Sequence, residues 1–313
     1  KKKQKLICGR DRFGMSPLYF LHKSNKFLFA SELKSILKSG HSNKRLNKQS
    51  LYHYLSLMWC PGPETIIEDI KKLQPGYFLE LDLISNDLKI QKWHYIKIHS
   101  DNSKNLNEWK ESILFALKNS INRSTLSDVP LACGLSGGLD SQSIVGILSK
   151  EKKLNTFSLA FEGHDKGCLN ELNESRIVAN YFKTNHNEIV INKEDYFKDL
   201  DKMIYHLDEP YGGGLPLWHV FKEAGKNFGV ILTGLGGDEL FGNYGRWTIL
   251  EKTYFNLTNN YYHFKTLFFD RKYFFKDSLK KKLLLDKNLD FENTSQYMYD
   301  KLNNINSKNI RDK

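Results

Sequence analysis

Beyond residue 108, two kinds of apolar segment alternate along the chain. Short apolar runs at 129–135, 156–161, 187–191 and 230–232 are typical of buried strands. The segments between them place apolar residues three or four positions apart, which is the spacing of an amphipathic helix. We expect the first of these helices, at 109–121, to pack on the sheet. Strands that alternate with helices predict an α/β domain with a parallel, doubly wound sheet.

The first 99 residues have a different pattern. Short β-type runs flank turns that contain Gly14, Pro17 and the pair Pro75-Gly76. A polar, breaker-rich stretch at 100–107 then predicts a linker. We therefore expect one domain at 1–99 and a second at 108–313.

A glycine turn interrupts the alternation at Ser136-Gly137-Gly138-Leu139-Asp140-Ser141. Adjacent glycines let a backbone approach a ligand closely, and the free N–H groups of the following helix favour an anion. The two serines add hydroxyl donors. Asp140 would repel a bare phosphate unless a divalent cation lay between them, so the expected ligand is Mg-pyrophosphate. Since no Gly-Lys-Ser/Thr follows the glycines, this turn is not a P-loop.

A second turn of the same design follows the apolar run at 230–232. It contains Thr233 and Gly234, and the acids Asp238 and Glu239 come directly behind it. Two such turns converging on one pocket would hold a nucleotide between them, with Asp140 and Asp238 as magnesium ligands. The expected ATP and pyrophosphate contacts of the two turns are Gly134, Ser136, Gly137, Gly138, Leu139, Asp140, Ser141, Thr233 and Gly234.

Three further residues lie outside the two turns. Leu159, on the strand next to the first turn, either meets an adenine through its backbone or is plain core. Asp208 and Glu209 are expected to cap the helix that follows them.

Composition limits which partners and which cellular location the sequence indicates. The chain has 47 Lys+Arg against 36 Asp+Glu, but the lysines are scattered through every segment, so a nucleic-acid partner is not indicated. No apolar run approaches the ~18 residues of a membrane span, and no secretion signal is evident. The cysteines Cys8, Cys60, Cys133 and Cys168 form no CxxC pair, which favours reduced thiols and a cytoplasmic location.

The turn at 136–141 resembles the pyrophosphate loop of the N-type ATP pyrophosphatases. Residues 9–19 (GRDRFGMSPLY), 29–34 (FASELK) and 65–79 resemble the glutaminase domain of the glutamine-hydrolysing asparagine synthetase family, and the turn at 233–239 and the Asp208-Glu209 pair fit its synthetase domain. The resemblance implies an ATP pyrophosphatase domain preceded by part of an N-terminal-nucleophile glutaminase α+β domain. It also implies ATP, Mg²⁺, aspartate or a related carboxylate, and glutamine or ammonia as ligands, with Asp11 holding the glutamine ammonium group and a homodimer as a possible assembly.

The sequence departs from this family at three places. The family's nucleophile is an N-terminal cysteine, whereas Cys8 is internal and begins a later motif. Leu235 stands where asparagine-forming members usually carry an acid, which puts the amine acceptor in doubt. The family also has a later Arg-Pro-Phe-Leu-Asp-type motif and a lysine that stabilises the departure of pyrophosphate, and neither is found before Lys313. These departures indicate a truncated chain, or a natural short form that does not hydrolyse glutamine.

Alternatives to asparagine synthesis therefore stay open. A lactam- or macrolactam-forming relative would explain Leu235. A tRNA-modifying ATP pyrophosphatase would use the same turn, although the sulfur-transferring kind needs paired reactive cysteines. A degenerate, non-catalytic relative would explain the missing nucleophile and lysine.

Overall fold

The computed structural model describes residues 4–96, 101, 103–163, 171–209, 211, 214–242, 275, 277–284 and 290–303. Cys168 and residues 243–244, at the end of the second turn motif, lie outside the described residues. The chain forms two compact units. Unit 1 takes in 1–99, 204–212 and 257–313, and unit 2 takes in 100–203 and 213–256. The domain boundaries expected from the linker at 100–107 remain predictions.

Unit 1 is built on two antiparallel sheets, each of three strands. One has the order β1-β5-β6 and the other the order β3-β2-β4. The strands are β1 (Lys5–Gly9), β2 (Tyr19–Lys23), β3 (Lys26–Ala30), β4 (Lys71–Lys72), β5 (Tyr77–Asp82) and β6 (Leu88–Lys92), and the first two helices are α1 (Leu33–Lys38) and α2 (Lys48–Leu57).

Alternating burial explains how these strands pack. Along β5, Leu79 and Leu81 are buried, whereas the residues next to them are partly exposed, as expected for strands with one covered face. Leu79 packs with Cys8 and Phe20, and Leu21 of β2 belongs to a second core with Ile36 of α1.

The expected role of Asp208, as a cap of the helix that follows it, is wrong. It does not cap the helix that follows it, which begins after Gly214 with no side-chain cap. Instead, Asp208 Oδ2 accepts from Leu33 N at 3.0 Å and its Oδ1 accepts from Lys34 N at 3.0 Å, so it satisfies the first turn of α1. Lys34 Nζ also donates to Asp208 Oδ1 at 3.0 Å. A residue 175 positions along the chain thus caps a helix of unit 1.

Glu209 does not cap the following helix either, contrary to expectation, and forms an ion pair with Lys72 instead. Its Oε2 accepts from Lys72 Nζ at 2.6 Å, with only 16% and 14% of the two side chains exposed. Burial raises the pKa of Glu209, although the charge of Lys72 acts in the opposite direction.

Unit 2 is a four-stranded, fully parallel sheet of order β10-β7-β8-β9. Its strands are β7 (Leu131–Gly134), β8 (Asn155–Phe161), β9 (Asn185–Ile191) and β10 (Val230–Leu232). The helices between and beside these strands are α3 (Leu106–Ser124), α4 (Leu139–Leu148), α5 (Leu172–Tyr181), α6 (Lys193–Tyr196), the first half of α7 (Leu200–Leu207), α8 (Leu215–Ala224) and α9 (Gly237–Phe241). The second half of α7 belongs to unit 1, as do α10 (Asp277–Leu283) and α11 (Thr294–Asn303).

Helices cover both faces of this sheet. Ile121 of α3, Val145 of α4 and Ala179 of α5 pack in one core with Cys133 of β7. On the other face, Val220 of α8 packs with Ala132 and Phe157. Parallel strands are stable when both faces are buried in this way. The predicted doubly wound α/β arrangement is confirmed.

Helix α3 contacts the core less than its pattern predicts. Asn105 caps it in a capping box with Glu108, which fixes where it begins. Of the apolar stripe at 109–121, Ile121 is buried, whereas Ile113 and Leu114 are 39% and 46% exposed. The helix therefore packs through its C-terminal end.

Candidate functional site

The strand order of unit 2 reverses at β7. From β7 the chain proceeds through β8 to β9 on one side, and β10 is then added on the other side of β7. Parallel pairing of Leu232 with Cys133 brings the carboxyl ends of β10 and β7 side by side. Such a reversal opens a crevice at the carboxyl ends of the strands, where ligands of this fold class bind. Both predicted glycine turns begin at this crevice.

The two serines of the first turn form hydrogen bonds within that turn. Ser141 Oγ accepts from Ser136 N at 3.0 Å, and Ser136 Oγ accepts from Gly138 N at 3.1 Å. The two hydroxyl oxygens are 3.0 Å apart. The hydroxyls that we expected to face a ligand thus bond within the turn in this structure, and their predicted ligand contacts stay a prediction.

Gly137 is held on both sides of its backbone. Its carbonyl oxygen accepts from Gln142 Nε2 at 2.8 Å, and its N–H donates to Glu171 Oε2 at 2.9 Å. A Cβ on Gly137 would lie 3.0 Å from Glu174 Cβ, so a larger residue would press on α5. Reasoning from the sequence missed Glu171, because it lies 34 residues from Gly137 and no spacing rule links the two.

The start of α4 supplies further N–H groups. Gly138 is its N-cap and makes no side-chain cap, so the N–H groups of the first turn, from Leu139 to Ser141, have no side-chain acceptor at that position. The positive end of the helix dipole lies at the same place. Leu139 is 78% exposed, whereas Ser141 is buried.

The second turn lies directly against Asp140. A Cβ on Gly234 would be 2.8 Å from Asp140 Cβ, and one on Gly237 would be 2.4 Å from its carboxyl carbon. Gly236 has a φ of +100°, which glycine adopts without strain. Because these glycines have no side chains, the second turn packs closely against the Asp140 side chain of the first turn. The predicted convergence of the two turns is therefore present in the structure.

Asp238 follows Gly237 in the first turn of α9. Within the described ranges, no three His, Cys, Asp or Glu side chains come together as a ready-made metal site. Two carboxylates from adjacent turns do fit Mg²⁺, which usually takes one or two protein carboxylates and completes its shell with water and phosphate oxygens. Asp140 and Asp238 remain the predicted ligands.

Thr233, Leu159 and Leu235 have different environments in the structure. Thr233 Cγ2 would lie 3.5 Å from a Cβ on Gly134, so the ends of the two strands are in contact. The side chain of Leu159 packs against the core on the α8 face, which supports its core role, and the adenine contact of its backbone stays a prediction. Leu235 is 71% exposed between Gly234 and Gly236.

In unit 1, Asp11 organises the turn that follows it. Its Oδ1 accepts from Phe13 N at 3.0 Å and Met15 N at 3.1 Å, and its Oδ2 accepts from Ser16 N at 3.2 Å. Burial raises the pKa of Asp11, but the N–H donors outweigh burial and hold this pKa below its ordinary value. The carboxylate is therefore ionised at neutral pH, as an ammonium ligand requires.

The described cysteines lack the environment of a nucleophile. Cys8 lies inside β1 opposite Leu79 and is 8% exposed. Burial raises the pKa of Cys8, and it raises the pKa of Cys60 to about 12 and that of Cys133 to about 11. Buried neutral thiols are weak nucleophiles.

The chain matches two protein-family models. The model described as asparagine synthase covers residues 113–309, more than half of the 313 residues. The chain belongs to the asparagine synthase family. The second model, described as a glutamine amidotransferase domain, covers residues 1–94. The resemblance drawn from the sequence motifs is confirmed, and so is the expected combination of a synthetase domain with a glutaminase-type domain before it.

Curated members of the family are similar over most of this chain. A putative glutamine-hydrolysing asparagine synthetase 2 of Methanocaldococcus jannaschii is 36% identical over 256 residues, which are 78% of this chain and 48% of that protein. The glutamine-hydrolysing asparagine synthetase 1 of Bacillus subtilis is 32% identical over 244 residues, 76% of this chain and 37% of that protein. The chain thus spans about half the length of these relatives, or less.

Among solved structures, an NH₃-dependent NAD synthetase from Campylobacter jejuni in complex with nitrate covers 63% of this chain and 93% of its own, with 13% identity and a TM-score of 0.30. At that score the likeness adds nothing to the fold assignment. Among the described residues, no helix has the length and apolar character needed to cross a bilayer.

Proposed function

We propose that unit 2 binds Mg-ATP and activates a carboxylate by adenylation, and that an amine then displaces AMP to form an amide. The observation that supports this most strongly is the placement of Asp140. Its carboxylate lies against Gly237, between two glycine turns at the reversal of a parallel sheet. A nucleotide and its metal need this combination of close backbone approach and negative charge.

The residues of the crevice have distinct tasks in this reaction. Mg²⁺ held by Asp140 and Asp238 would neutralise charge on the leaving pyrophosphate. The N–H groups at the start of α4 bind phosphate oxygens, because the helix dipole and its free donors favour an anion there. The contact between the two turns keeps both sets of groups in fixed positions, so much of the catalytic effect comes from positioning and electrostatics.

Bond changes in the two steps follow from this arrangement. A carboxylate oxygen of the acyl substrate forms a bond to the α-phosphorus while the bond from that phosphorus to the bridging oxygen breaks. The nitrogen of an amine then bonds to the acyl carbon and loses a proton to solvent, and the carbon–oxygen bond to AMP breaks. The original carboxylate oxygen leaves with AMP.

Aspartate is the acyl substrate that we propose, with glutamine or ammonia as the nitrogen source. The support is membership of the asparagine synthase family and the match of 1–94 to a glutamine amidotransferase domain. Asp11, ionised and close to the surface of unit 1, is the proposed ligand of the glutamine ammonium group.

One observation favours a second candidate, a relative that uses another amine. Leu235 presents an exposed apolar side chain beside Gly234, which is itself in contact with Asp140. An alkyl side chain cannot hold an ammonium ion or take its proton. An acceptor amine attached to an apolar group, as in lactam closure, fits this surface better than ammonia does.

An oxygen-isotope experiment tests the proposed chemistry. The protein is incubated with ATP, Mg²⁺, ammonia and aspartate labelled with ¹⁸O in its carboxylates, and AMP is examined by mass spectrometry. We expect ¹⁸O in the phosphate of AMP, and no AMP from the Asp140→Ala variant. Release of ADP and phosphate, or of AMP without label, would rule out an acyl-adenylate.

A further inference from the structure

The Glu171 carboxylate accepts a hydrogen bond from a backbone N–H that the proposed nucleotide would also use. The turn at 136–138 exposes one backbone N–H that its own serines do not satisfy, that of Gly137, and this N–H donates to Glu171 Oε2 at 2.9 Å. A carboxylate oxygen at this distance from a backbone N–H is equivalent to a phosphate oxygen as an acceptor. The turn therefore already holds an anion, and that anion belongs to the chain.

The position of Glu171 in α5 shows that this contact is not a by-product of capping. Glu171 is the N-cap residue of α5, yet its side chain makes no cap with that helix. The shorter side chains of Asp, Asn, Ser and Thr usually accept from the second or third helical N–H at this position, and the longer Glu171 side chain does not. Here the carboxylate extends to another helix start, that of α4, whose N-cap Gly138 is the next residue after Gly137.

The Gly137 peptide has a fixed orientation and lies close to the start of α5. Gln142 Nε2 donates to the carbonyl oxygen of Gly137 at 2.8 Å, which fixes the orientation of the peptide. A Cβ placed on Gly137 would be 3.4 Å from Glu171 Cβ and 3.0 Å from Glu174 Cβ, so the turn lies directly on the first residues of α5. A triphosphate bound to this turn would meet the negative charge of Glu171 at short range.

We propose that the Glu171 carboxylate is an internal anion that occupies the Gly137 N–H of the pyrophosphate turn until Mg-ATP displaces it. This inference rests on the proposed function of the same turn. Glu171 is only partly buried, so its side chain has room to swing away when a phosphate takes its place. The ligand must break a charge-assisted hydrogen bond before it makes its own, and its affinity is reduced by the strength of that bond.

Removing the internal anion should therefore tighten binding. In calorimetric titrations with Mg-ATP and with Mg-pyrophosphate, Glu171→Ala should bind both about tenfold more tightly than the wild type, which is the usual worth of a hydrogen bond to a charged group. Glu171→Gln keeps an acceptor but loses the charge, so it should gain less than Glu171→Ala does.

Glu174→Ala is the matched control. It removes the same charge one helical turn away, beside the same glycine, but its carboxylate does not accept from Gly137. If Glu174→Ala tightens binding as much as Glu171→Ala, general charge repulsion explains the gain and the specific role of Glu171 is overturned.

Amide exchange of Gly137 provides a second readout that does not need a ligand. By NMR, this amide proton should exchange about tenfold faster in Glu171→Ala than in the wild type, and added Mg-pyrophosphate should protect it in both. Unchanged exchange and unchanged affinity would overturn the inference but leave the proposed function standing. No binding of either ligand by any of these proteins would overturn both.

Discussion

Single residues of the first turn form hydrogen bonds that the sequence did not predict, while their expected ligand contacts stay a prediction. Ser136 and Ser141 were expected as ligand donors, and in the structure their hydroxyls bond to backbone N–H groups inside the turn. A hydroxyl can accept and donate at once, so a local backbone partner competes with a ligand. The side chains close to the turn that sequence reasoning did not find, Gln142 and Glu171, act through hydrogen bonds that no spacing rule predicts.

Leu235 is the residue on which the choice of amine depends. We expect the protein to make asparagine slowly from aspartate, ATP and ammonia, and its Leu235→Glu variant to make it faster, because acid–base assistance is commonly worth roughly 10²–10⁴-fold. The measurement is the rate of AMP and asparagine formation. Efficient synthesis by the wild type, with no gain in the variant, would show that Leu235 does not redirect the acceptor.

For Cys8 we predict the absence of a catalytic role. Because burial raises the pKa of Cys8 and its strand pairs it with Leu79 in the core, we expect it to take no part in hydrolysing glutamine. Glutamate released from glutamine by this chain should be at background level, and Cys8→Ser should not change it. Release that depends on Cys8 would contradict this.

At the level of helices and strands, the local pattern predicted most of unit 2. The runs at 156–161, 187–191 and 230–232 became β8, β9 and β10 with ends shifted by no more than two residues. β8 is mostly buried, whereas β9 leaves Val190 59% exposed and β10 is only partly buried, so the apolar runs rather than complete burial marked these strands. The exposed half of α3 and the cap on α1 were missed because both depend on partners distant in sequence.

The contribution of the Asp208 cap on α1 can be measured as a change in the free energy of unfolding. Asp208→Ala removes an acceptor of two backbone N–H groups and the partner of Lys34, which is 14% exposed, so the free energy of unfolding should fall by about 2 kcal/mol. Asp208→Asn retains one acceptor oxygen and should lose about half as much. Chemical denaturation would reveal both, and equal stability of all three proteins would show that the cap is not needed.

For the whole molecule, the sequence motifs identified the family and the place of the proposed site. The two glycine turns are recognisable in sequence because close backbone approach requires glycine at defined positions. Their contact through Asp140 depends on the strand order of the sheet, which fixes β10 beside β7. The division into units was less accessible, since unit 1 includes residues 204–212, far along the chain from its sheets.

Calorimetric titration of this chain with Mg-ATP tests the proposed nucleotide site. We expect the wild type to bind, and Asp140→Ala and Gly237→Ala each to weaken binding by about tenfold or more, because one removes the proposed metal ligand and the other places a Cβ 2.4 Å from its carboxyl carbon. Asp128→Ala, an exposed aspartate of the same unit, is the control and should bind as the wild type does. Equal affinity in all four proteins, or no binding by the wild type, would contradict the proposed nucleotide site.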